Sequence, residues 1–151
     1  MELRNYNRYR LRFKDKEILS IEMDGQEINR FVGPDNQSKL PKLYIIKSGP
    51  EAIYIGQTTQ GMRTRIRYGL KAEGKTGYYG YKWKDLAEVE VLIWCFPNKS
   101  VEYVEAIEGE LVFLFRKHTG RWPRYQMEIH FHNASENEIE VAEAILKESR
   151  E

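Results

Sequence analysis

Apolar and polar residues alternate along "EILSIEM" and again along "QEINRFV", with Asp24 and Gly25 between the two runs. This predicts a β-hairpin within residues 8–32. The next stretch, "GPDNQSKLPK", has two prolines, a glycine and mostly polar residues, and reads as a loop. "LYIIK" and "AIYIG" then form two short apolar runs with Gly49 and Pro50 between them, a second hairpin. "GMRTRIRYGLKA" has helical spacing, with Met62, Ile66 and Leu70 on one stripe. "EGKTGYYGYKWKDL" has no period and reads as a glycine- and aromatic-rich loop, and "EVEVLIWCF" as a strand that alternates at first and then turns fully apolar.

Two further helices follow. "VEYVEAIEGELVFLFRKHTG" has Ser100 as N-cap, Gly120 just past its end, and Arg116, Lys117 and His118 where the helix dipole favours cations. "QMEIHFHN" alternates as a strand does. Ser135 and Glu138 then form a capping box for a last helix with Ile139, Ala142 and Leu146 on its apolar side. The order predicts an α+β fold: a small antiparallel or mixed sheet flanked by helices, with an N-terminal β-hairpin extension. Residues 1–41 are read as extension and linker, 42–133 as the core, and 134–151 as a helix packed on it.

Composition narrows the function classes. A chain of 151 residues is one domain's length, and its formal net charge of +1 means any anion binding must come from local clusters. Cys95 is the only cysteine and sits in the apolar run "VLIWCF", so it is expected in the core, in a reducing compartment. No apolar run reaches the ~20 residues of a membrane helix, and "MELRNYNRYRLRF" is charged throughout. The expectation is a cytoplasmic protein without a membrane partner. Trp83, Trp94 and Trp122 are expected to be packing residues.

Two places hold candidate chemistry. On the first helix Arg63 and Arg67 flank one side of the apolar stripe; Arg65 lies on the other side, near Tyr68. Tyr44 and Tyr54 hold matching places in the preceding strands. Two phenols and an arginine form a set suited to phosphate. On the second helix Glu108 projects onto the apolar face, where a carboxylate is costly unless paired or bound to metal. A buried salt bridge to Arg65 is the structural alternative. One carboxylate with phosphate oxygens and waters is a usual Mg²⁺ arrangement. Lys75, Tyr79, Lys82 and Lys84 interleave with further aromatics in the glycine-rich loop, which suits nucleic-acid contact or a loop folded onto the core. His130 and His132 share a strand face without a third nearby ligand.

"KLYIIKSGPEAIYIG" resembles the two-part signature of the GIY-YIG nucleases, "KLY" standing in for the first triplet and "YIG" matching the second. "QTTQGMRTRI" is similar to that family's turn and helix start, with Arg65 at its arginine. Glu108 matches its metal-binding glutamate and Asn133 the asparagine that closes its domain. The resemblance covers residues 42–133. It implies a phosphodiester hydrolase acting on DNA, with RNA kept as a second substrate, and one Mg²⁺ or Mn²⁺ on Glu108. It gives Tyr44 a part in activating water, Tyr54 a part in positioning the nucleophile and phosphate, Arg65 the phosphate charge, and Asn133 a supporting hydrogen bond. Gly56 would leave room for a close approach. Arg63, Arg67, Lys75, Tyr79 and Lys82 are the nucleic-acid-binding candidates.

The chain departs from the family at Lys42 and Leu43, and at Gly69, where many members carry histidine or tyrosine. Tyr68, Lys47, Tyr78, Tyr79 and Lys82 are candidates to take that place. An inactive nucleic-acid-binding module of the same fold is therefore the alternative function. A scaffold would leave Glu108 without purpose. The N-terminal extension has three uses open to it: reading DNA, forming a homodimer, or covering the core.

Overall fold

The computed structural model describes residues 6–126 and 134–151. The elements among them are β1 (Tyr6–Lys14), β2 (Glu17–Met23), β3 (Gln26–Ile28), β4 (Lys42–Ser48), β5 (Glu51–Thr58), α1 (Met62–Lys71), β6 (Glu88–Cys95), α2 (Val101–Thr119) and α3 (Glu136–Ser149). The fold is α+β. Its strands form one antiparallel sheet in the order β3-β2-β1-β6-β4-β5. Both expected hairpins are present, although β3 stops at Ile28. The strand expected over "QMEIHFHN" falls on residues 127–133 past its first residue, outside the described residues, and His130, His132 and Asn133 lie there with it.

The N-terminal strands belong to the same sheet as the core strands. β1 lies between β2 and β6 and runs in register with β6 from Tyr6↔Trp94 to Arg12↔Glu88. Tyr9 and Leu11 point to the α1 side and are buried, while Arg8, Arg10 and Arg12 point the other way. These arginines pair across strands with Glu90, Glu88 and Glu22. Each exposed pair contributes little stability, but a slip of one residue would set Tyr9 and Leu11 in water and the arginines in the core. The charged ladder also explains β6. Its Glu88 and Glu90 face these arginines, and beyond them Leu92 and Trp94 pass under α2 and α3. The strand therefore alternates where one face is covered and turns apolar where both are.

Two apolar layers sandwich the sheet. Tyr44, Ile46, Met62, Ile66, Leu70 and Trp83 meet on the α1 side. Leu43, Ile45, Ile55, Leu92, Ile107 and Leu111 meet on the α2–α3 side. Ser100 accepts from the Tyr103 amide to cap α2, Gly120 closes that helix at φ 82°, and the Ser135–Glu138 capping box opens α3. Trp83 and Trp94 are core residues, as expected. Trp122 is not: it is 41% exposed, and the Arg116 guanidinium lies over its ring. Cys95 is half-buried and donates to Asp35, and burial followed by that carboxylate pushes its thiol up to about 12, away from a nucleophile's range. No helix among the described residues is long and apolar enough to cross a membrane.

Lys42 begins β4 and is fully buried. Its ammonium donates to the carbonyls of Gln37, Leu40 and Gln60, at 2.6, 2.8 and 2.9 Å. This ties the 33–41 loop to the turn before α1. Asp35 in the same loop accepts from the Met62 amide at 3.0 Å, so the loop holds the start of the helix that carries Arg65. Lys42→Met keeps most of the stem but strips three carbonyls of a charged donor. We expect it to cost about 3 kcal/mol and to lower Tm by roughly 10 °C. An unchanged thermal melt would show the ammonium to be dispensable.

Candidate active site

The β4–β5 hairpin aims the two tyrosines. Ile46 pairs with Tyr54 but Lys47 with Ala52, so Ile53 is an extra residue on β5. Such a bulge turns side chains off strict alternation, and both Ile53 and Tyr54 join the α1-side layer. Tyr44 pairs across the strands with Gly56. A Cβ on Gly56 would lie 2.6 Å from both Cζ and Oη of Tyr44 and 2.9 Å from Cε1 of Tyr54. The glycine of the second triplet is thus the room in which the first tyrosine's phenol lies. The two rings stand 6.0 Å apart, tilted by 39°.

Helix α1 buries Met62, Ile66 and Leu70 and sends its arginines in different directions. Arg63 donates to the carbonyl of Asn29 at 2.8 Å and Arg67 faces Glu17 at 3.8 Å; both are exposed. Arg65 instead turns inward beside the tyrosines. Its Nη2 donates to Tyr78 Oη at 3.0 Å, and its Cζ stands 4.6 Å from the centre of the Tyr81 ring. Its Nη1 is buried and has no hydrogen-bond partner among the described residues. No bond or ion pair joins Arg65 to Glu108 among those described.

Tyr81 is the residue that sequence reasoning missed. It is buried, stacks on Trp83 with centroids 4.4 Å apart, and shares a 2.8 Å hydrogen bond with Tyr44 Oη. It fits because Gly69 has no side chain: a Cβ there would lie 2.1–2.7 Å from the Tyr81 ring. The only sequence signal was Gly69 itself, a glycine inside a helix. The loop around Tyr81 divides. Tyr81 and Trp83 fold onto the core, and Tyr79 is 70% exposed. Lys84 is spent on the loop itself, donating to the carbonyls of Ala72 and Tyr79.

A cavity of about 340 Å³ opens here, and Tyr54, Arg65, Tyr78, Tyr79, Tyr81 and Lys82 all contribute to its wall. Tyr44 is 0% exposed, so its phenol meets water only through Tyr54 and Tyr81. That changes the direct role in water activation which the resemblance gave it. Glu108 is buried on α2, as the helical wheel predicted, and its charge acts on Tyr54, but it does not itself line the cavity. Lys47 is elsewhere, donating to the Ser149 carbonyl of α3 at 2.9 Å, because the alternation of β4 sets it on the face of Leu43 and Ile45, opposite Tyr44 and Ile46. Tyr68 is half exposed and reaches the site only by stacking on Tyr78. Lys75 is exposed on the same loop.

Burial raises the ionisation of Tyr44, Tyr54 and Tyr81 well above a free phenol's. Neighbouring phenols add to the shift, while the Arg65 charge works against it. Tyr9, buried beside Asp35, is raised too. Around Arg65, burial pushes the guanidinium down but the phenols push it up, and the net shift is upward. The centre is therefore one fixed cation ringed by neutral hydroxyls. A phenol whose folded value exceeds its unfolded value stabilises the fold below pH ~10, and that stability is lost as pH climbs further. Of the ten tyrosines, we expect these four to show tyrosinate absorbance only as the fold is lost in alkali. Ionisation of all ten near pH ~10 with native circular dichroism would contradict it.

No family model matches the chain, and no curated protein or solved structure matches it either.

Proposed function

We propose that this chain is a metal-dependent endonuclease of the GIY-YIG type that hydrolyses DNA phosphodiester bonds, with RNA as the second substrate to test. One observation carries the reading. Arg65 holds a buried guanidinium nitrogen with no acceptor among the described residues, at the wall of a cavity ringed by phenols. A buried N–H without an acceptor is costly, and a phosphate oxygen is the acceptor its fork geometry suits.

In this reading Arg65 binds and neutralises the scissile phosphate. Tyr54 reaches the cavity and orients phosphate and water with its hydroxyl. Tyr44 stands behind and fixes the phenols through its hydrogen bond to Tyr81 and its ring contact with Tyr54. Tyr79 and Lys82 meet neighbouring nucleotides at the rim, and Lys75, Arg63 and Arg67 extend the basic surface. The donor suits a hard cation: Glu108 is a buried carboxylate whose charge acts on Tyr54. Among the described residues no three His, Cys, Asp or Glu side chains come together. Glu108 would thus hold Mg²⁺ or Mn²⁺ together with phosphate oxygens and water. When bound, the ion supplies charge neutralisation and support for the leaving oxygen. Asn133 has its supporting role from the resemblance. The lone Cys95 leads us to place the activity in the reducing cytoplasm.

One observation favours a second reading, a nucleic-acid-binding module without catalysis: Glu108 stands back from the cavity wall. The purified chain would be given supercoiled plasmid, single-stranded DNA and RNA with Mg²⁺, Mn²⁺ or EDTA. We expect metal-dependent cutting that EDTA stops. Salt-sensitive binding with no cutting of any substrate would favour the module.

A further inference from the structure

The phenols form an ordered chain, and its last member is not one that the sequence singled out. Tyr44 has no exposed surface, so its hydroxyl can bond only to protein. Its hydrogen-bond partner among the described residues is Tyr81, at 2.8 Å. Tyr81 differs from it, because it belongs to the cavity wall. The arrangement that leaves no buried proton unspent has Tyr44 donating to Tyr81 and Tyr81 donating into the cavity. Hydroxyls linked in this way polarise one another, so the terminal hydroxyl is a stronger donor than a lone phenol. Arg65 lies over the Tyr81 ring, holds the buried Nη1 without a hydrogen-bond partner among the described residues, and contributes to the wall of the same cavity. A cation and a polarised donor thus reach a common space.

We infer that Tyr81 is a catalytic residue of the nuclease reaction, a third phenol that takes its hydrogen bond from Tyr44 and donates its own to the phosphate or attacking water beside Arg65. It is delivered by the 72–87 loop into the space left by Gly69, in place of a side chain on α1 itself. Gly69 and Tyr81 form one device. The helix gives up a side chain, the Tyr81 ring fills the gap, and the Gly69 carbonyl accepts from the Tyr81 amide at 2.9 Å. This inference rests on the nuclease reading proposed above. Tyr81 keeps its proton throughout, so no proton transfer is assigned to it.

Tyr81→Phe retains the ring, its stacking on Trp83 and its contact with Arg65. We expect kcat on DNA to fall about 10²-fold, the range for one lost transition-state donor, with KM nearly unchanged and Tm lowered because the buried Tyr44 hydroxyl loses its acceptor. Tyr44→Phe cuts the same chain one link back. Because the two hydroxyls act as a unit, the double variant should be no slower than the slower single one. A second measurement serves if Tyr81→Phe melts early: 3,5-difluorotyrosine placed at position 81 keeps the ring and hydroxyl but makes the phenol more acidic. A required proton would then be lost at lower pH, and the alkaline limb of the kcat profile should move down. Full cleavage by Tyr81→Phe, losses that multiply in the double variant, or an unmoved alkaline limb would each overturn the role of Tyr81 while leaving the nuclease reading intact. A wild-type protein that cuts no nucleic acid with any metal would overturn both.

Discussion

Glu108→Ala is expected to remove metal-dependent cleavage and leave DNA binding nearly unchanged. Glu108 is 3% exposed on a helix face otherwise filled by Val104, Ile107, Leu111 and Val112. Its charge acts on Tyr54 at the cavity wall. If it holds the divalent ion, losing it removes several kcal/mol of transition-state stabilisation. At about 1.4 kcal/mol per factor of ten, that is a rate loss of 10³-fold or more. Binding draws mainly on Arg65, Lys82 and the exposed basic residues, which the substitution leaves in place. Glu108→Gln keeps shape and helix propensity while removing the charge, so the two variants should be about equally slow. Mn²⁺ affinity, measured by spin resonance without DNA, should fall in both. Cleavage at the full wild-type rate in Glu108→Ala would sink the metal assignment.

Where the code is local, the fold was legible in the sequence. The Gly49–Pro50 turn, the stripe of Met62, Ile66 and Leu70, the Ser100 cap and the Ser135–Glu138 capping box are set by neighbours within a few residues. Glu108 was legible for the same reason, since a wheel shows which face a carboxylate occupies. Other features rest on partners distant in the chain. The place of β1 between β2 and β6 depends on pairing with residues about eighty positions away, and alternation alone reads the same at an edge as in the middle of a sheet. Lys42 looks like a surface lysine until the loop carbonyls close around it.

The candidate site divided in the same way. Tyr44, Tyr54 and Arg65 are brought together, because a hairpin and the helix after it keep their relative places. Tyr81 was hidden because its loop has no period to read. Ring and gap are twelve positions apart, and neither Gly69 nor "GYYGYKW" announces the fit. The burial of Tyr44 was hidden for a related reason: its hydroxyl is bonded to Tyr81 from that same loop. The contribution of Asn133 lies outside the described residues.

Arg65→Ala is expected to slow cleavage about 10³-fold, in the range for removing a cation from a developing phosphate charge, with a smaller loss of DNA affinity. The side chain has few structural ties: one hydrogen bond to Tyr78 and ring contacts with Tyr78 and Tyr81. Its Nη1 has no acceptor among the described residues, so the fold loses no bond when that nitrogen goes. Tm should therefore change little, and the effect should fall on kcat. Arg65→Lys keeps the charge but not the planar fork, and Tyr78 and phosphate cannot both be met in the same plane. It should fall between alanine and wild type. The decisive readout is chemical rescue. Alanine leaves a space bordered by Tyr54, Tyr78 and Tyr81 that opens on the cavity. Added guanidinium should enter it and restore part of the lost rate to Arg65→Ala, while giving nothing to Glu108→Ala. Rescue of neither variant, together with a collapse of Tm in Arg65→Ala, would make Arg65 a packing residue of the phenol cluster and leave the cavity without its phosphate ligand.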